Sequence, residues 1–218
     1  MTDPCTGFPP VARRDARILI LGSMPGDASL RAGQYYAHPY NHFWPIMGAL
    51  CGAGPELPYR RRLARLRAAG IALWDVLREC RRHGSLDAAV ELRTATANEL
   101  LPFLRAHPGI GRVLFNGALA ARIWHRRIQP GVERELPGLE LLRLPSTSPA
   151  HAAVSRARKL RQWRAACALS PRASPAGSSG GSVRTARSRR PAPPAPAPRR
   201  TPAGSAHRRA ARRARAAG

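Results

Sequence analysis

Residues 18–44 read ILILGSMPGDASLRAGQYYAHPYNHFW, and the order of residue types in this stretch decides the fold. Four consecutive aliphatics, Ile18 to Leu21, are too few for a helix and suit a strand buried on both faces. The run breaks into Gly22-Ser23-Met24-Pro25-Gly26, a small-residue turn that lets backbone approach whatever lies beyond the strand end. In an open parallel sheet that carboxyl end is where ligands bind. Two tyrosines, a His-Pro, an asparagine and Phe-Trp follow. Aromatic faces and an amide, without an acid, suit a pocket for a flat heterocycle.

Working outward, strands alternate with helices. A short helix at 45–50 is stopped by Gly52, and the basic run RRRLARLRAA (60–69) predicts a helix ended by Gly70. Residues 71–74 predict a second strand. Thr96-x-x-Glu99 reads as a capping box for the helix ELLPFLRAH, with Pro102 near its first turn. Residues 112–115 predict a third strand, running into Asn116-Gly117 and a helix through Ile128. Residues 139–144 predict a fourth, running into PSTSP (145–149). A last helix is expected from Pro149 to about Leu169, capped by Ser148, with Ala153, Ala157, Leu160, Trp163 and Cys167 as its buried stripe. The fold class is therefore α/β: a central, mostly parallel, four-stranded sheet flanked by helices.

Composition sets the partner. The 218 residues carry 37 basic and 12 acidic side chains, a formal net charge of +25. Such an excess favours a polyanion, and phosphate backbones are the common one. A GC-rich genome writing Arg for Lys would explain the scarcity of lysine but not the net charge. Residues 170–218 are almost wholly Ala, Pro, Arg, Gly and Ser and predict a disordered basic tail, leaving 1–169 as the folded domain. The tail holds twelve arginines and no acid, so thirteen of the net charges sit before it. It reads equally as a nucleic-acid arm or as low-complexity drift. Four cysteines, far apart and without metal-ligand spacing, fit free thiols in a reducing cytosol. No apolar run is long enough to span a bilayer, and the N-terminus does not read as a signal peptide.

Three strand ends deliver polar, small or aromatic groups: GSMPG, FNG and LPSTSP. Each alone reads as an ordinary βα turn; with the YYAHPYNHFW insert they can surround one ligand. GSMPG lacks the spacing of dinucleotide folds and of phosphate loops. His38 and His42 are four apart, but Pro39 lies between them and no HExxH glutamate exists, which argues against zinc. No GxSxG elbow surrounds Ser146 or Ser148. Asp27 and Asp75 are the only acids near the loops, too few for a two-carboxylate glycosidase. Asp75 reads as a turn or capping residue.

GSMPGxxSL, YYAHPYNHFWPIMG, WDVL…GSLD, FNG and LPSTSPAH, in this order, resemble the hypoxanthine-DNA glycosylase (DNA-deoxyinosine glycosylase) branch of the uracil-DNA glycosylase superfamily. The resemblance covers residues 7–168, and HPxNxFW is also similar to mismatch-specific uracil glycosylases. It implies a monofunctional enzyme of base-excision repair that extrudes a deaminated base, chiefly hypoxanthine, and hydrolyses its bond to deoxyribose. By the same resemblance Asn41, in HPYNHFW, places the water, and Ser23 is the second catalytic candidate. Many superfamily members carry Asn or Asp in the first motif where this chain has Ser23-Met24-Pro25. Tyr36 stands at the position of the stacking aromatic, or is simply a core tyrosine. Asn116 reads the base or caps the next helix, its amide matching the N1–H and O6 edge of hypoxanthine. Met24 completes the base-binding set. Gly22, Pro25, Gly26, His38, Ser146, Thr147, Ser148, Pro149 and His151 are expected against DNA. No cofactor or metal is expected. The partner is damaged DNA, not a membrane, and the expected state is a monomer in a bacterial cytoplasm, on the nucleoid. Lys159 is the only lysine; with none expected near the pocket, Schiff-base lyase chemistry is not expected. The alternatives are a uracil or mismatch-specific glycosylase, and a nucleic-acid-binding protein that keeps the fold without the chemistry.

Overall fold

A computed structural model describes residues 3–82 and 87–168. In chain order the elements are β1 (Asp3–Thr6), β2 (Ile18–Gly22), α1 (Asp27–Ala32), α2 (Phe43–Cys51), α3 (Tyr59–Ala68), β3 (Ile71–Asp75), β4 (Leu77–Arg82), a 3-10 turn (Asp87–Ala89), β5 (Thr96–Ala97), α4 (Leu100–Ala106), β6 (Arg112–Asn116), α5 (Ala118–Arg127), α6 (Gln129–Glu135), β7 (Glu140–Leu144) and α7 (Arg156–Cys167). Four of the strands form the central sheet in the order β3-β2-β6-β7, all parallel. These are the four strands expected, and the α/β class holds. Chain order along the sheet reverses between β2 and β6, which makes the carboxyl ends of those two strands the topological switch point.

Both faces of the sheet are covered, which is why its strands read as continuous apolar runs. Leu19, Leu21, Val113 and Phe115 face one core, closed by Phe103 and Leu104 of α4, Ile123 and Trp124 of α5 and Val132 of α6. Ile18, Ile20, Leu73, Leu114 and Leu144 face the other, closed by Phe43, Trp44 and Met47 of α2, Leu66 of α3 and Trp163 of α7. Trp163 is fully buried and meets Phe43 edge-on at 6.3 Å. Truncating a buried aromatic of this size costs about 3–5 kcal/mol, so α2 and α7 clamp one another. The helix stops are as read: Gly52 and Gly70 follow α2 and α3 in left-handed conformation.

Several local expectations fail, each for a physical reason. Thr96 and Glu99 form no capping box. Thr96 is taken into β5, and Glu99 precedes α4 without a side-chain cap. That β5 belongs to a small antiparallel sheet, β1-β4-β5, whose short, polar strands carry no apolar period. The helix after Asn116 ends at Arg127, and a second helix, α6, follows at once. The last helix starts seven residues later than expected, at Arg156, with Ser155 as its cap: its hydroxyl accepts the Arg158 N–H. Ser148 instead accepts from Ala150 N within a turn. Of the expected α7 stripe, Ala153 and Ala157 are exposed, whereas Leu160, Trp163 and Cys167 pack against the core, joined by the buried Lys159 and Ala166. No disulfide joins the four cysteines, yet the β1–β4 register sets Cys5 opposite Cys80, a proximity their sequence separation hides. The proposed tail lies outside the described residues.

Candidate active site

The carboxyl ends of β2, β3 and β6 floor a cavity of about 620 Å³, within the ordinary range for a small-molecule site. Its walls are GSMPG and α1 on one side, residues 35–41 on another, and residues 146–151 on a third. Every residue expected at the site lines it: Gly22, Ser23, Met24, Pro25, Gly26, Tyr36, His38, Asn41, Asn116, Ser146, Thr147, Ser148, Pro149 and His151. The turns after β2, β6 and β7, far apart in sequence, meet because those strands are parallel neighbours.

The aromatic wall is held from behind. Tyr35 is buried, its N–H donating to the Tyr59 hydroxyl at 2.9 Å and its carbonyl accepting from Trp44 Nε1 at 2.9 Å. Tyr36 is thereby kept at φ 54°, a backbone state uncommon for a residue with a β-carbon. Its ring stacks on Phe43 with centroids 4.0 Å apart and planes inclined by 22°. A base can extend this stack as a third ring. The Tyr36 hydroxyl is buried beside the Asn116 side chain, without a hydrogen bond of full geometry among the described residues. Burial and the nearby Asp75 push its pKa up, so it stays protonated.

Asn41 closes the same segment. Its Oδ1 accepts the Phe43 N–H at 3.0 Å at the start of α2. That bond fixes which end of the amide is oxygen, and leaves the NH2 group and a second lone pair for other use. Asn116 is tied at both ends to one residue: its Nδ2 donates to Thr147 Oγ1 at 2.9 Å and its Oδ1 accepts from Thr147 N at 2.8 Å. It does not cap α5, which starts after Gly117 without a side-chain cap. Thr147 is fully buried, and its carbonyl accepts His42 N at 2.9 Å. This one threonine joins the end of β6, the loop after β7 and the start of α2.

Ser23 is also buried, its hydroxyl donating to Asp87 Oδ1 at 2.6 Å. The GSMPG loop is clamped from below by Arg82, whose Nη2 donates to Pro25 O at 2.8 Å and meets Asp27 Oδ1 at 3.2 Å. Beneath the third wall lies Lys159, which is 1% exposed. Its ammonium donates to His151 O at 2.8 Å and approaches Ser148 O at 3.5 Å. A lysine therefore stands behind the pocket wall, contrary to expectation. It is nonetheless walled off and bound to backbone carbonyls, not facing the cavity as an open nucleophile.

The sequence reading missed several lining residues. Asp75 is neither a turn former nor a cap: it ends β3 on the pocket floor, 3% exposed. An acid closing an otherwise apolar parallel strand was the available signal. Asp87 joins the wall from the 3-10 turn, so Asp27 and Asp75 are not the only acids near the loops. Arg122 brings a cation to the rim from the exposed side of α5, where it resembled any solvated helix residue. Tyr40, between His38 and Asn41, is 75% exposed.

A parallel sheet with an aromatic, amide-bearing pocket at its switch point defines a base- or nucleotide-binding α/β domain. Comparison with known proteins narrows that class. The model of the uracil DNA glycosylase superfamily matches residues 9–169. The chain is 40% identical over 112 residues to a hypoxanthine DNA glycosylase of Methanosarcina barkeri, covering 51% of this chain and 70% of that one. It is 33% identical over 160 residues to a hypoxanthine DNA glycosylase of Methanosarcina acetivorans, covering 73% of this chain and 95% of the relative. A solution NMR structure from M. acetivorans, described as a candidate uracil DNA glycosylase, superposes with a TM-score of 0.63 at 32% identity, over 76% of this chain and 97% of that one. The chain belongs to the uracil DNA glycosylase superfamily, in its hypoxanthine DNA glycosylase branch.

Proposed function

We propose that this protein is a monofunctional DNA glycosylase that hydrolyses the bond between an extruded deaminated base, chiefly hypoxanthine, and its deoxyribose. The observation that carries the reading is the meeting of Tyr36, Asn41, Asn116 and the GSMPG turn around one cavity of nucleotide size. The family and the names of the relatives agree with it.

The chemistry follows from the geometry. An extruded base slides against Tyr36, whose ring is backed by Phe43. Met24, 7% exposed, supplies apolar contact, and Asn116 offers the base the N–H and lone pair that Thr147 leaves unused. As the glycosidic bond lengthens, the sugar gains oxocarbenium character and the base gathers negative charge. Such a dissociative step needs a placed water more than a strong base, so an amide suffices. Asn41 holds that water, its orientation fixed by the Phe43 N–H. Ser23, bound to Asp87, shapes the turn beneath the reacting atoms. Gly22, Pro25, Gly26, His38 and the 146–151 loop pack against the strand that carries the base, with His151 and Lys159 fixing that loop. The protein acts as a cytoplasmic monomer on nucleoid DNA, and no helix among its described residues is long and apolar enough to cross a membrane.

Oligonucleotides carrying one hypoxanthine, uracil, xanthine or ethenoadenine test the reading. Hypoxanthine is expected to be released in the presence of a chelator, because the Asn41 amide, and not a metal ion, places the water in this mechanism. The strand should stay intact until alkali treatment, since Lys159 is buried and hydrogen-bonded. A Schiff-base adduct trapped by borohydride would overturn the monofunctional assignment. A preference for uracil would favour the uracil-directed alternative, and binding without release would favour the non-catalytic one.

The basic tail enters as a second expectation. Removing residues 171–218 takes away twelve arginines, so DNA affinity should fall and its dependence on salt should flatten. Base release by the truncated chain should persist. An unchanged salt slope would mean that the tail does not touch DNA.

A further inference from the structure

Asp75 sits on the pocket floor, and the reading above gives it no task. Its Oδ2 is buried without a hydrogen-bond partner among the described residues. A buried acceptor left without a donor is costly, so the group calls for a proton or an occupant. Its neighbours favour the proton. Asp87 approaches from the 3-10 turn, Tyr35 and Tyr36 from the loop after α1, and Arg82 from β4 is the positive group nearby. Its Nη2 is committed to Pro25 and Asp27, and its Nε and Nη1, though buried without partners among the described residues, do not donate to Asp75 Oδ2. Burial first, and then the Asp87 charge, push the Asp75 pKa up to about 7, against the pull of Arg82. The carboxyl is also well placed. A β-carbon built on Gly22 would lie 2.3 Å from Asp75 Oδ1 and 3.0 Å from the Tyr36 hydroxyl. Because glycine has none, both groups pack against the Gly22 backbone, and all three residues line the cavity.

We propose that Asp75, as a neutral acid, reads the lactam edge of the extruded base, its carbonyl oxygen accepting the ring N–H and its O–H donating to the adjacent ring carbonyl. This rests on the glycosylase reading and names its substrate class: bases with an N–H beside a C=O. Hypoxanthine, xanthine and uracil share that edge, and ethenoadenine lacks it. An ionised carboxylate, an acceptor only, would set its second oxygen against the base carbonyl. A carboxylic acid kept neutral by its site donates instead, even near pH 7. Asn116, held by Thr147 at both ends of its amide, has less freedom to turn toward that edge.

The test is single-turnover release of hypoxanthine and uracil by wild type, Asp75→Asn and Asp75→Ala between about pH 5.5 and 9. The wild-type rate should fall about tenfold per pH unit above 7. Asp75→Asn presents the same acceptor and donor without titrating. It should lose that alkaline limb and overtake wild type at the top of the range. Asp75→Ala should be slow throughout, by about tenfold or more, and ethenoadenine should be refused by wild type. Thermal melts separate misfolding from chemistry. The folded-state pKa of Asp75 lies above its unfolded value, so ionisation erodes stability as pH rises toward 7, and Asp75→Asn should melt higher than wild type at about pH 8. The proposal is overturned if Asp75→Asn is as slow as Asp75→Ala at every pH, or if the wild-type rate climbs with pH; either would make the anion the working form. Wild type releasing no base at any pH would instead overturn the glycosylase reading itself.

Discussion

Asn41→Ala is expected to slow single-turnover base release by about 10²-fold or more, the usual loss for one preorganised polar group, while DNA affinity stays nearly intact. In the proposed mechanism Asn41 meets water in the transition state and contributes little to holding the ground state, so its loss should show in rate and not in binding. The structure adds a complication. Asn41 Oδ1 also accepts the Phe43 N–H at 3.0 Å, and losing a bond of this capping kind costs about 0.5–2 kcal/mol. Asn41→Asp separates the two effects. A carboxylate keeps the acceptor for Phe43 and can hold the same water, so Asn41→Asp should melt close to wild type and keep measurable activity. Ser23→Ala, which removes only the bond to Asp87, should cost less than Asn41→Ala. If Ser23→Ala is the dead variant and Asn41→Ala cuts normally, the chemistry belongs to the first motif.

What the sequence revealed and what it hid have the same origin. Three of the central strands, β2, β3 and β6, were legible because they are buried on both faces and so read as short apolar runs ending at turns; the edge strand β7, ELLRL, was legible from its leucines and the PSTSP turn after it. Their parallel order put the turns at one edge, and hence the right loops around one pocket. The antiparallel sheet was not legible, because β1 (DPCT) and β4 (LRECRR) are short, mostly polar and contain no apolar run to find. The α7 start was misplaced because Ser148-Pro149 imitates a helix start, whereas Ser155 supplies the cap. Lys159 stayed hidden because a lysine at a buried helix position is rare; only the carbonyls of Ser148 and His151 make that burial tolerable. Asp75 was misread for a similar reason. Its meaning comes from Asp87, Tyr36 and Gly22, which converge on it only in the fold.

Gly22→Ala should abolish most base release and lower thermal stability, although it adds a single carbon. Gly22 ends β2 at the switch point, where the floor is shared with Asp75 and Tyr36. The added β-carbon would fall 2.3 Å from Asp75 Oδ1, a separation real atoms do not tolerate, and 3.0 Å from the Tyr36 hydroxyl. Neither neighbour yields easily: Asp75 is 3% exposed, and the Tyr36 ring is stacked on Phe43. Overpacking at such a site costs about 1–3 kcal/mol, and the displaced groups are those proposed to contact the base. The double variant Gly22→Ala with Asp75→Ala identifies the cause. Removing the carboxyl removes the closer contact, so the double variant should melt above Gly22→Ala alone, a non-additivity expected of touching residues. Its base release should stay lost, because the floor then lacks its acid. If the double variant melts no higher than Gly22→Ala, the damage lies in the β2 backbone, and Gly22 serves the strand rather than the close approach of Asp75.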